Sequence, residues 1–328
     1  MPPNQRIQYM ISVQKILEVN HKIYGYVKTT PLQENDNLST KFDCKVLLKR
    51  EDLQLGRSYK IRGAFNKISS LSEEERAMGV VCASAGNHAQ GVALSCAKLK
   101  IQGTIFMPKT APQQKVDKVR QFGKEYTEII LIGDTFDDAY AEAKNNQKET
   151  GKVFIQPFDD EKIIEGQATV GKEIYEQENG HIDYLFIPIG GGGLSSGVGS
   201  YFKQVSPKTK IIGVEPAGAA SMKLSFEKGK VTRLKTMDKF VDGAAVAKVG
   251  ELNFQICQEV VDEICVVEEG KTCTVILQMY NEDAIVVEPS GALSIGALDQ
   301  YRDQIKGKTV VCIVSGGNND ITRMEEIK

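Results

Sequence analysis

Short apolar runs alternate with longer amphipathic stretches along most of the chain. The strand candidates, rich in valine and isoleucine, are Lys45–Lys49, Gly79–Ala83, Gly103–Met107, Glu128–Ile132, Val153–Gln156, Tyr184–Ile189, Ile211–Glu215 and Thr309–Val314. Between them, helix-like stretches cover Asn87–Leu99, Pro112–Phe122, Thr135–Glu149, Gly166–Gln177 and Leu194–Gln204. Strands that alternate with helices predict parallel sheets covered by helices. We therefore expect an α/β protein.

The alternation falls into two blocks, one from about Leu55 to Gly151 and one from Val153 onward. We expect two three-layer α/β lobes with mostly parallel sheets and a cleft between them. The predicted large domain comprises residues 1–53 and 152–328, and the predicted small domain comprises residues 54–151.

Composition narrows the class of protein further. The formal net charge is −2 over 328 residues, which offers no field to attract nucleic acid or a membrane surface. No apolar run approaches the ~20 residues of a spanning helix, and the N-terminus, MPPNQRIQYM, lacks the layout of a signal peptide. We expect a cytoplasmic protein without nucleic-acid or membrane partners.

Cysteines and histidines give no sign of a metal site. The seven cysteines include no CxxC pair, and several lie in apolar runs, so reduced and buried thiols are expected. The three histidines, His21, His88 and His181, are far apart in the sequence and form no HExxH pattern. We expect no bound metal.

The stretch GRSYKIRGA places Lys60 at the start of an apolar helix. Ser58 is a candidate N-cap, and Ile61, Ala64 and Phe65 follow at helical spacing. In the first turn, the helix dipole and desolvation both lower the pKa of a lysine and favour a neutral, nucleophilic amine. The alternative is an ordinary lysine whose ammonium reaches solvent.

Two glycine-containing turns each follow a strand and open a helix. The first, SAGNHAQG from Ser84 to Gly91, can direct backbone N–H groups at a carboxylate, or can be a tight turn only. The second contains Gly190–Gly193 followed by Leu194. Four consecutive glycines favour a cradle for a phosphate, but neither a Walker motif nor the GxGxxG spacing is present. The second turn therefore predicts a phosphate without a nucleotide.

A third turn, SGGNN, begins with Ser315 directly after the strand Thr309–Val314. Open α/β sheets bind ligands at the carboxyl ends of their strands. Ser315 is thus placed where its hydroxyl can meet a ligand, although the stretch alone is also compatible with a simple turn.

These motifs, in this order, resemble the pyridoxal-phosphate enzymes of the tryptophan-synthase-β class. Within that class the chain resembles the serine/threonine dehydratases, most closely the threonine dehydratases (threonine ammonia-lyases), from Thr30-Pro31-Leu32 to the final SGGNND. The resemblance implies a pyridoxal 5′-phosphate cofactor, bound by the large domain. It also implies a lyase that deaminates L-threonine to 2-oxobutanoate and L-serine to pyruvate by elimination of water. Homodimers or homotetramers are implied too, and the phrases GDTFDDA and KFVDGAAVAKVG are similar to the biosynthetic type.

The resemblance also assigns roles to residues. Lys60 matches the catalytic lysine that holds the cofactor, and Tyr59 stands where the family usually has a phenylalanine on the cofactor ring. Asn87 matches the residue that bonds the 3′-oxygen of the ring, and Ser315 the hydroxyl that faces the pyridine nitrogen. The implied phosphate cradle is Gly190, Gly191, Gly192, Gly193 and Leu194, and Gly243 and Glu288 line the same cavity. The implied substrate-carboxylate loop is Ser84, Ala85, Gly86, Asn87 and His88.

Two other functions are weighed against this one. Serine racemases of the same family carry a serine where this chain has Ala85, and a methyl group cannot exchange a proton. Some of them also bind a divalent cation near a segment like Glu215–Ala219, where Ser221 here replaces an acidic ligand. A non-catalytic ligand sensor on the same fold is the remaining alternative, but a sensor does not need a desolvated amine.

Overall fold

The computed structural model describes residues 9–320 and 324–327, and within them the chain forms two sheets surrounded by helices. The strands are β1 Leu32–Glu34, β2 Lys45–Arg50, β3 Val80–Ala83, β4 Gly103–Met107, β5 Thr127–Leu131, β6 Val153–Phe154, β7 Tyr184–Pro188, β8 Lys210–Pro216, β9 Glu263–Val267 and β10 Thr309–Val314.

The helices alternate with these strands. They are α1 Val13–Ile23, α2 Asp36–Phe42, α3 Lys60–Ser69, α4 Glu73–Met78, α5 Asn87–Leu99, α6 Gln113–Gly123, α7 Phe136–Thr150, α8 Glu161–Gln177, α9 Gly193–Val205, α10 Ser221–Lys228, α11 Glu251–Val260, α12 Glu269–Asp283, α13 Pro289–Gly296, α14 Arg302–Ile305 and α15 Met324–Ile327. Short 3-10 turns cover Glu51–Leu53, Lys124–Tyr126, Ala217–Ala219 and Ala297–Tyr301.

The larger sheet has six strands in the order β1-β2-β10-β7-β8-β9, parallel except for the β1–β2 pair. Its central strand β10 is buried on both faces. Val310, Cys312 and Val314 belong to one apolar cluster, whereas Val311 and Ile313 belong to the cluster on the opposite face. This alternation follows from the two-residue period of a strand and explains why β10 reads as a continuous apolar run.

The smaller sheet has four parallel strands in the order β5-β4-β3-β6. Its faces again carry different clusters, with Val80 and Cys82 of β3 on one side and Val81 and Ala83 on the other. We propose the predicted division into a large and a small domain, with one adjustment. Strand β6 lies within the range predicted for the large domain but pairs with β3, so we count it in the small domain.

The predicted α/β class is confirmed, and every predicted strand and helix has a counterpart in the structure. Two strands were missed: β1, a three-residue antiparallel edge strand, and β9. The prediction that Ser58 caps α3 is wrong. The N-cap residue is Tyr59, no side chain caps this helix, and Ser58 instead pairs with Gly316.

Three further findings concern membrane-spanning helices, cysteines and metal ligands. No helix among the described residues is long and apolar enough to cross a membrane. Residues 1–8, which carry most of the N-terminal stretch compared with a signal peptide, lie outside the described residues. All seven cysteines are free, and only Cys273 is not buried. In the part of the chain that the structure describes, no three histidine, cysteine, aspartate or glutamate side chains gather as metal ligands.

Candidate active site

Residues from distant parts of the chain meet in a cavity where strand ends of the larger sheet face the helices α3 and α5. Of the predicted site residues, seven line the cavity: Tyr59, Lys60, Asn87, Gly190, Gly243, Glu288 and Ser315. The sequence prediction missed Pro188, Ala244 and Ser290, which also line it. Ser290 follows Glu288 by two residues and was recognisable only as a neighbour of a predicted site residue.

Lys60 is the first residue of α3, as the sequence predicts, and its amine lies against the cavity. Its Nζ donates to the carbonyl oxygen of Pro157 at 3.0 Å and lies 5.3 Å from the centre of the Tyr59 ring. Burial lowers the pKa of Lys60 to about 8, and the negative charge of Glu288 partly opposes this effect. A substantial fraction of the amine is therefore neutral near pH 8.

The backbone before Lys60 is paired directly with the loop that carries Ser315. The Tyr59 N–H donates to the carbonyl oxygen of Ser315 at 3.3 Å, and the Gly317 N–H donates to that of Arg57 at 2.9 Å. Arg57 has a φ of +52°, in the left-handed region that non-glycine residues rarely adopt. This short antiparallel pairing fixes Lys60 and Ser315 relative to each other.

Ser315 lies at the carboxyl end of β10 and is buried. Its hydroxyl donates to the carbonyl oxygen of Ser290 at 3.2 Å, and rotation of the hydroxyl can redirect the same proton to an acceptor in the cavity. A serine hydroxyl carries no charge at neutral pH. The group at this wall of the cavity is thus a neutral hydrogen-bonding partner.

Glu288 lines the cavity beside Asn87 and Ser290. Its Oε1 accepts from the Asn87 amide at 2.7 Å and from the Ser290 hydroxyl at 2.6 Å, and its Oε2 accepts from the Asn318 N–H at 3.1 Å. Burial raises the pKa of Glu288, with a further contribution from Asp242, while these three donors oppose the rise. The donors hold the carboxylate in a fixed orientation.

The glycine loop after β7 has no room for side chains. A Cβ on Gly191 would clash with the ring of Phe158, and a Cβ on Gly190 would lie 3.0 Å from Ala244 Cα. Gly192 has a φ of +98° and precedes α9, whose first turn has no side-chain cap. Uncapped N–H groups at a helix start, in a loop without side chains, form a site for an anion.

The turn after β3 is a second place where a helix starts without a side-chain cap. The Gly86 N–H donates to Ser84 Oγ at 3.2 Å, and Gly86 precedes α5. His88 does not line the cavity, and its Nε2 lies 2.9 Å from the carbonyl oxygen of Ile155. Burial and the charge of Lys60 lower the pKa of His88 to about 3, so its ring is neutral. Ser84, Ala85 and Gly86 are only partly buried.

Tyr59 packs against the apolar cluster beneath the larger sheet while its ring borders the cavity. Burial raises the pKa of its phenol, as do Glu288 and Glu51, so the hydroxyl stays protonated. The ring therefore presents an apolar face at the cavity in the same way that a phenylalanine would.

Glu215, in the segment compared with a cation site, has a structural partner. Its carboxylate accepts from the backbone N–H groups of Met222 at 2.7 Å and Lys223 at 2.8 Å, so it holds the start of α10. Burial raises the pKa of Glu215 to about 7.

The donor set fits a phosphorylated pyridine aldehyde. A lysine amine with a lowered pKa suits a bond to an aldehyde carbon, the uncapped glycine loop suits a phosphate, and the Ser315 hydroxyl suits a pyridine nitrogen. These groups thus provide for the aldehyde, the phosphate and the pyridine nitrogen of pyridoxal phosphate.

Comparison with known proteins agrees with this chemistry. The chain is 59% identical over 318 residues to the biosynthetic L-threonine dehydratase of Halalkalibacterium halodurans, covering 97% of this chain and 77% of that protein. It is 55% identical over 328 residues to the corresponding Bacillus subtilis protein, covering 100% and 78%.

Solved structures with the same fold include two plant proteins. The processed form of threonine deaminase isoform 2 from Solanum lycopersicum superposes with a TM-score of 0.91 at 41% identity, covering 98% of this chain and 94% of that one. Maize serine racemase superposes with a TM-score of 0.91 at 32% identity, covering 97% of both chains. Residues 23–316 match the family described as pyridoxal-phosphate dependent enzyme, and the chain belongs to that family.

Proposed function

We propose that this protein is a lyase that deaminates L-threonine to 2-oxobutanoate and ammonia, and L-serine to pyruvate, by elimination of water. The observation that carries the proposal is the Lys60 amine, with its pKa lowered to about 8, in one cavity with the Ser315 hydroxyl and the start of the glycine loop. The relatives at 59% and 55% identity, which are named biosynthetic L-threonine dehydratase, support the same reaction.

The cofactor is held by groups from both domains in this proposal. Gly190, Gly191, Gly192, Gly193 and Leu194 would bind the phosphate, and Tyr59 would pack on the ring. Asn87 would bond the 3′-oxygen, Ser315 would face the pyridine nitrogen, and Gly243 and Glu288 would line the cavity. When bound, pyridoxal phosphate withdraws electrons from the α-carbon of an amino acid attached to it.

Lys60 supplies the base. Its neutral amine can accept the α-proton of the substrate at Nζ, because burial keeps a substantial fraction of the amine unprotonated near pH 8. The carbonyl oxygen of Pro157, 3.0 Å away, accepts a hydrogen bond from Nζ and holds the amine beside the cavity. Lys60 thus combines the cofactor attachment with proton transfer.

The turn from Ser84 to His88 binds the substrate carboxylate in this proposal. The start of α5 offers N–H groups that no side chain caps, a favourable place for a negative charge. Asn87 lines the cavity at this point. His88 contributes through its place in the turn, since its ring is bonded to Ile155.

Ser315 and Ala85 decide between elimination and competing reactions. A hydroxyl cannot protonate a pyridine nitrogen as a carboxylic acid would, which makes prompt loss of the β-hydroxyl more favourable than a long-lived carbanion. Racemisation requires a second proton-transfer group on the opposite face of the α-carbon. The methyl group of Ala85 cannot serve, so elimination prevails over racemisation.

Oxo-acid formation from L-threonine and L-serine tests the proposal, with D-serine measured in parallel. We expect 2-oxobutanoate and pyruvate with little D-serine, and no oxo acid from the Lys60→Ala variant. Ala85→Ser restores a hydroxyl on the turn and is expected to raise D-serine formation. Abundant D-serine with little oxo acid from the unaltered protein would overturn the proposal.

The cellular setting proposed is a cytoplasmic homodimer or homotetramer that acts in isoleucine biosynthesis. The seven free cysteines fit a reducing compartment such as the cytoplasm. The word biosynthetic in the names of the relatives supports a role in isoleucine biosynthesis. Sedimentation of the purified holoenzyme tests the oligomeric state.

A further inference from the structure

We infer that Arg62 is a positioning residue for Lys60, because it fixes helix α3 through a buried network of four charged side chains. The inference rests on the proposed role of Lys60. It concerns residues outside the cavity, none of which the motif-based prediction singled out.

The guanidinium of Arg62 is fully buried and is bonded to two carboxylates at once. Nε and Nη2 donate to Glu51 Oε2 and Oε1 at 2.9 and 2.8 Å. Nη1 and Nη2 donate to Glu173 Oε1 and Oε2 at 2.6 and 2.9 Å, and Nη1 also donates to Thr169 Oγ1 at 3.1 Å. Two bidentate contacts fix the plane of the guanidinium in space.

The cluster balances its own charge. Lys49 is also fully buried, and its Nζ donates to Glu173 Oε2 at 2.7 Å and to the carbonyl oxygen of Thr30 at 2.7 Å. Two cations therefore face two carboxylates, Glu51 and Glu173. Removing one member would leave an unpaired charge in the interior, so the network favours a single arrangement of the elements that it joins.

The charged network holds helix α3, which begins with Lys60. Arg62 lies two residues after Lys60, in the same first turn of α3, whose start has no side-chain cap. The backbone of α3 packs closely against helices on two sides. A Cβ on Gly63 of α3 would lie 2.7 Å from the Ile163 carbonyl oxygen of α8, and a Cβ on Gly91 of α5 would lie 3.1 Å from the carbonyl carbon of Lys60. These contacts set the spacing of α3 from its neighbours, and Arg62 sets its rotation and its position along the axis.

A matched control is provided by Arg50. Its Nε and Nη2 donate to Asp52 Oδ1 and Oδ2 at 2.9 and 2.7 Å, and both side chains are buried. Arg50 and Asp52 lie on β2 and the turn after it, and their side chains bond each other and Gln33, not α3, within the part of the chain that the structure describes. Arg50→Lys therefore disrupts a buried bidentate pair in the same region without releasing the helix of Lys60.

The test compares Arg62→Lys with Arg50→Lys in the holoenzyme. Lysine keeps the charge but cannot make two bidentate contacts. Three quantities are measured for each variant: the melting temperature, kcat and KM for L-threonine, and the fraction of chains in which hydride reduction fixes the cofactor on the Lys60 peptide. The last readout does not depend on turnover.

We expect the two variants to lose similar thermal stability. Only Arg62→Lys should lose kcat, on the order of 100-fold for a displacement of about 1 Å, with a much smaller change in KM. The fraction fixed on Lys60 should also fall in that variant alone. Equal losses of kcat and fixation in both variants, or wild-type fixation in Arg62→Lys, would overturn the inference.

Thr169→Val provides a second variant should Arg62→Lys not fold. It removes the 3.1 Å hydrogen bond from Arg62 Nη1 and the 2.7 Å hydrogen bond that Thr169 Oγ1 donates to the Gly166 carbonyl oxygen within α8, and it leaves both carboxylate contacts of Arg62 in place. A smaller loss of kcat and of Lys60 fixation is therefore expected. Unchanged kcat and fixation in Thr169→Val would then refute the positioning role. If the unaltered protein fixes the cofactor on Lys60 but forms no oxo acid, the proposed reaction fails, and the fixation comparison still decides the role of Arg62.

Discussion

Replacing Lys60 by methionine tests whether burial lowers the pKa of this lysine. Methionine has a similar length and no charge. In the protein freed of cofactor, the folded state lowers the pKa of Lys60 from 10.5 to about 8. Since one pKa unit corresponds to about 1.4 kcal/mol, the charged amine costs the folded state at most about 3 kcal/mol.

The sign of the pH dependence follows from linkage. The pKa in the folded protein lies below that in the unfolded chain, so unfolding takes up a proton between about pH 8 and pH 10.5. The charged amine of Lys60 destabilises the folded state fully below pH 8, and this destabilisation disappears as the pH rises to 10.5. The free energy of unfolding of Lys60→Met minus that of wild type should therefore decrease by about 2 kcal/mol between pH 7 and pH 9.5.

The assay is urea unfolding of both cofactor-free proteins at the two pH values. Other titrating groups are common to both proteins, so their contributions cancel when the two proteins are compared. The loss of packing and of the hydrogen bond to Pro157 is the same at both pH values, so it cancels when the two pH values are compared. Lys98→Met, at an exposed position of α5, controls for the loss of a lysine. A difference between Lys60→Met and wild type that stays the same at both pH values would refute the lowered pKa.

Two further substitutions test the cavity walls. Gly191→Ala makes a Cβ clash with the ring of Phe158, so the affinity for pyridoxal phosphate should fall at least about 10-fold, equivalent to about 1.4 kcal/mol. Fluorescence titration measures the affinity, with Gly270→Ala as the control because its Cβ would meet no atom within 4 Å. Equal affinities in the two variants would contradict a phosphate site at the glycine loop. Glu288→Gln removes the charge that raises the pKa of Lys60, so the midpoint for labelling the Lys60 amine in cofactor-free protein should move below about pH 8. An unchanged midpoint would show that Glu288 does not act on that amine.

Local patterns predicted most of the secondary structure. The apolar runs at β4 and β10 match the observed strands residue for residue, and α5 begins and ends where its spacing places it. Such elements are buried on both faces or have a clear helical period, so the hydrophobic pattern alone identifies them. Strand β1 was missed because its three residues sit at a sheet edge, with no continuous apolar run to mark them.

The start of α3 shows where local rules fail. Ser58 has the residue type of an N-cap, yet its backbone is engaged with Gly316, more than 250 positions along the chain. The pairing between Arg57 and Gly317 then places the first helical residue at Lys60. A capping preference is weak compared with a pairing that the whole fold imposes.

The sequence by itself determined the kind of chemistry. A lysine at an apolar helix start, a loop of four glycines and a serine after a central strand offer an amine, an anion site and a hydroxyl, because these properties belong to residue types and to local backbone freedom. Only the tertiary structure decided how these groups are set against one another. Glu288 faces Asn87 across 201 positions, and Arg62 reaches Glu173 across 111. Contacts over such separations depend on how the two sheets and their helices pack, and no local pattern encodes them.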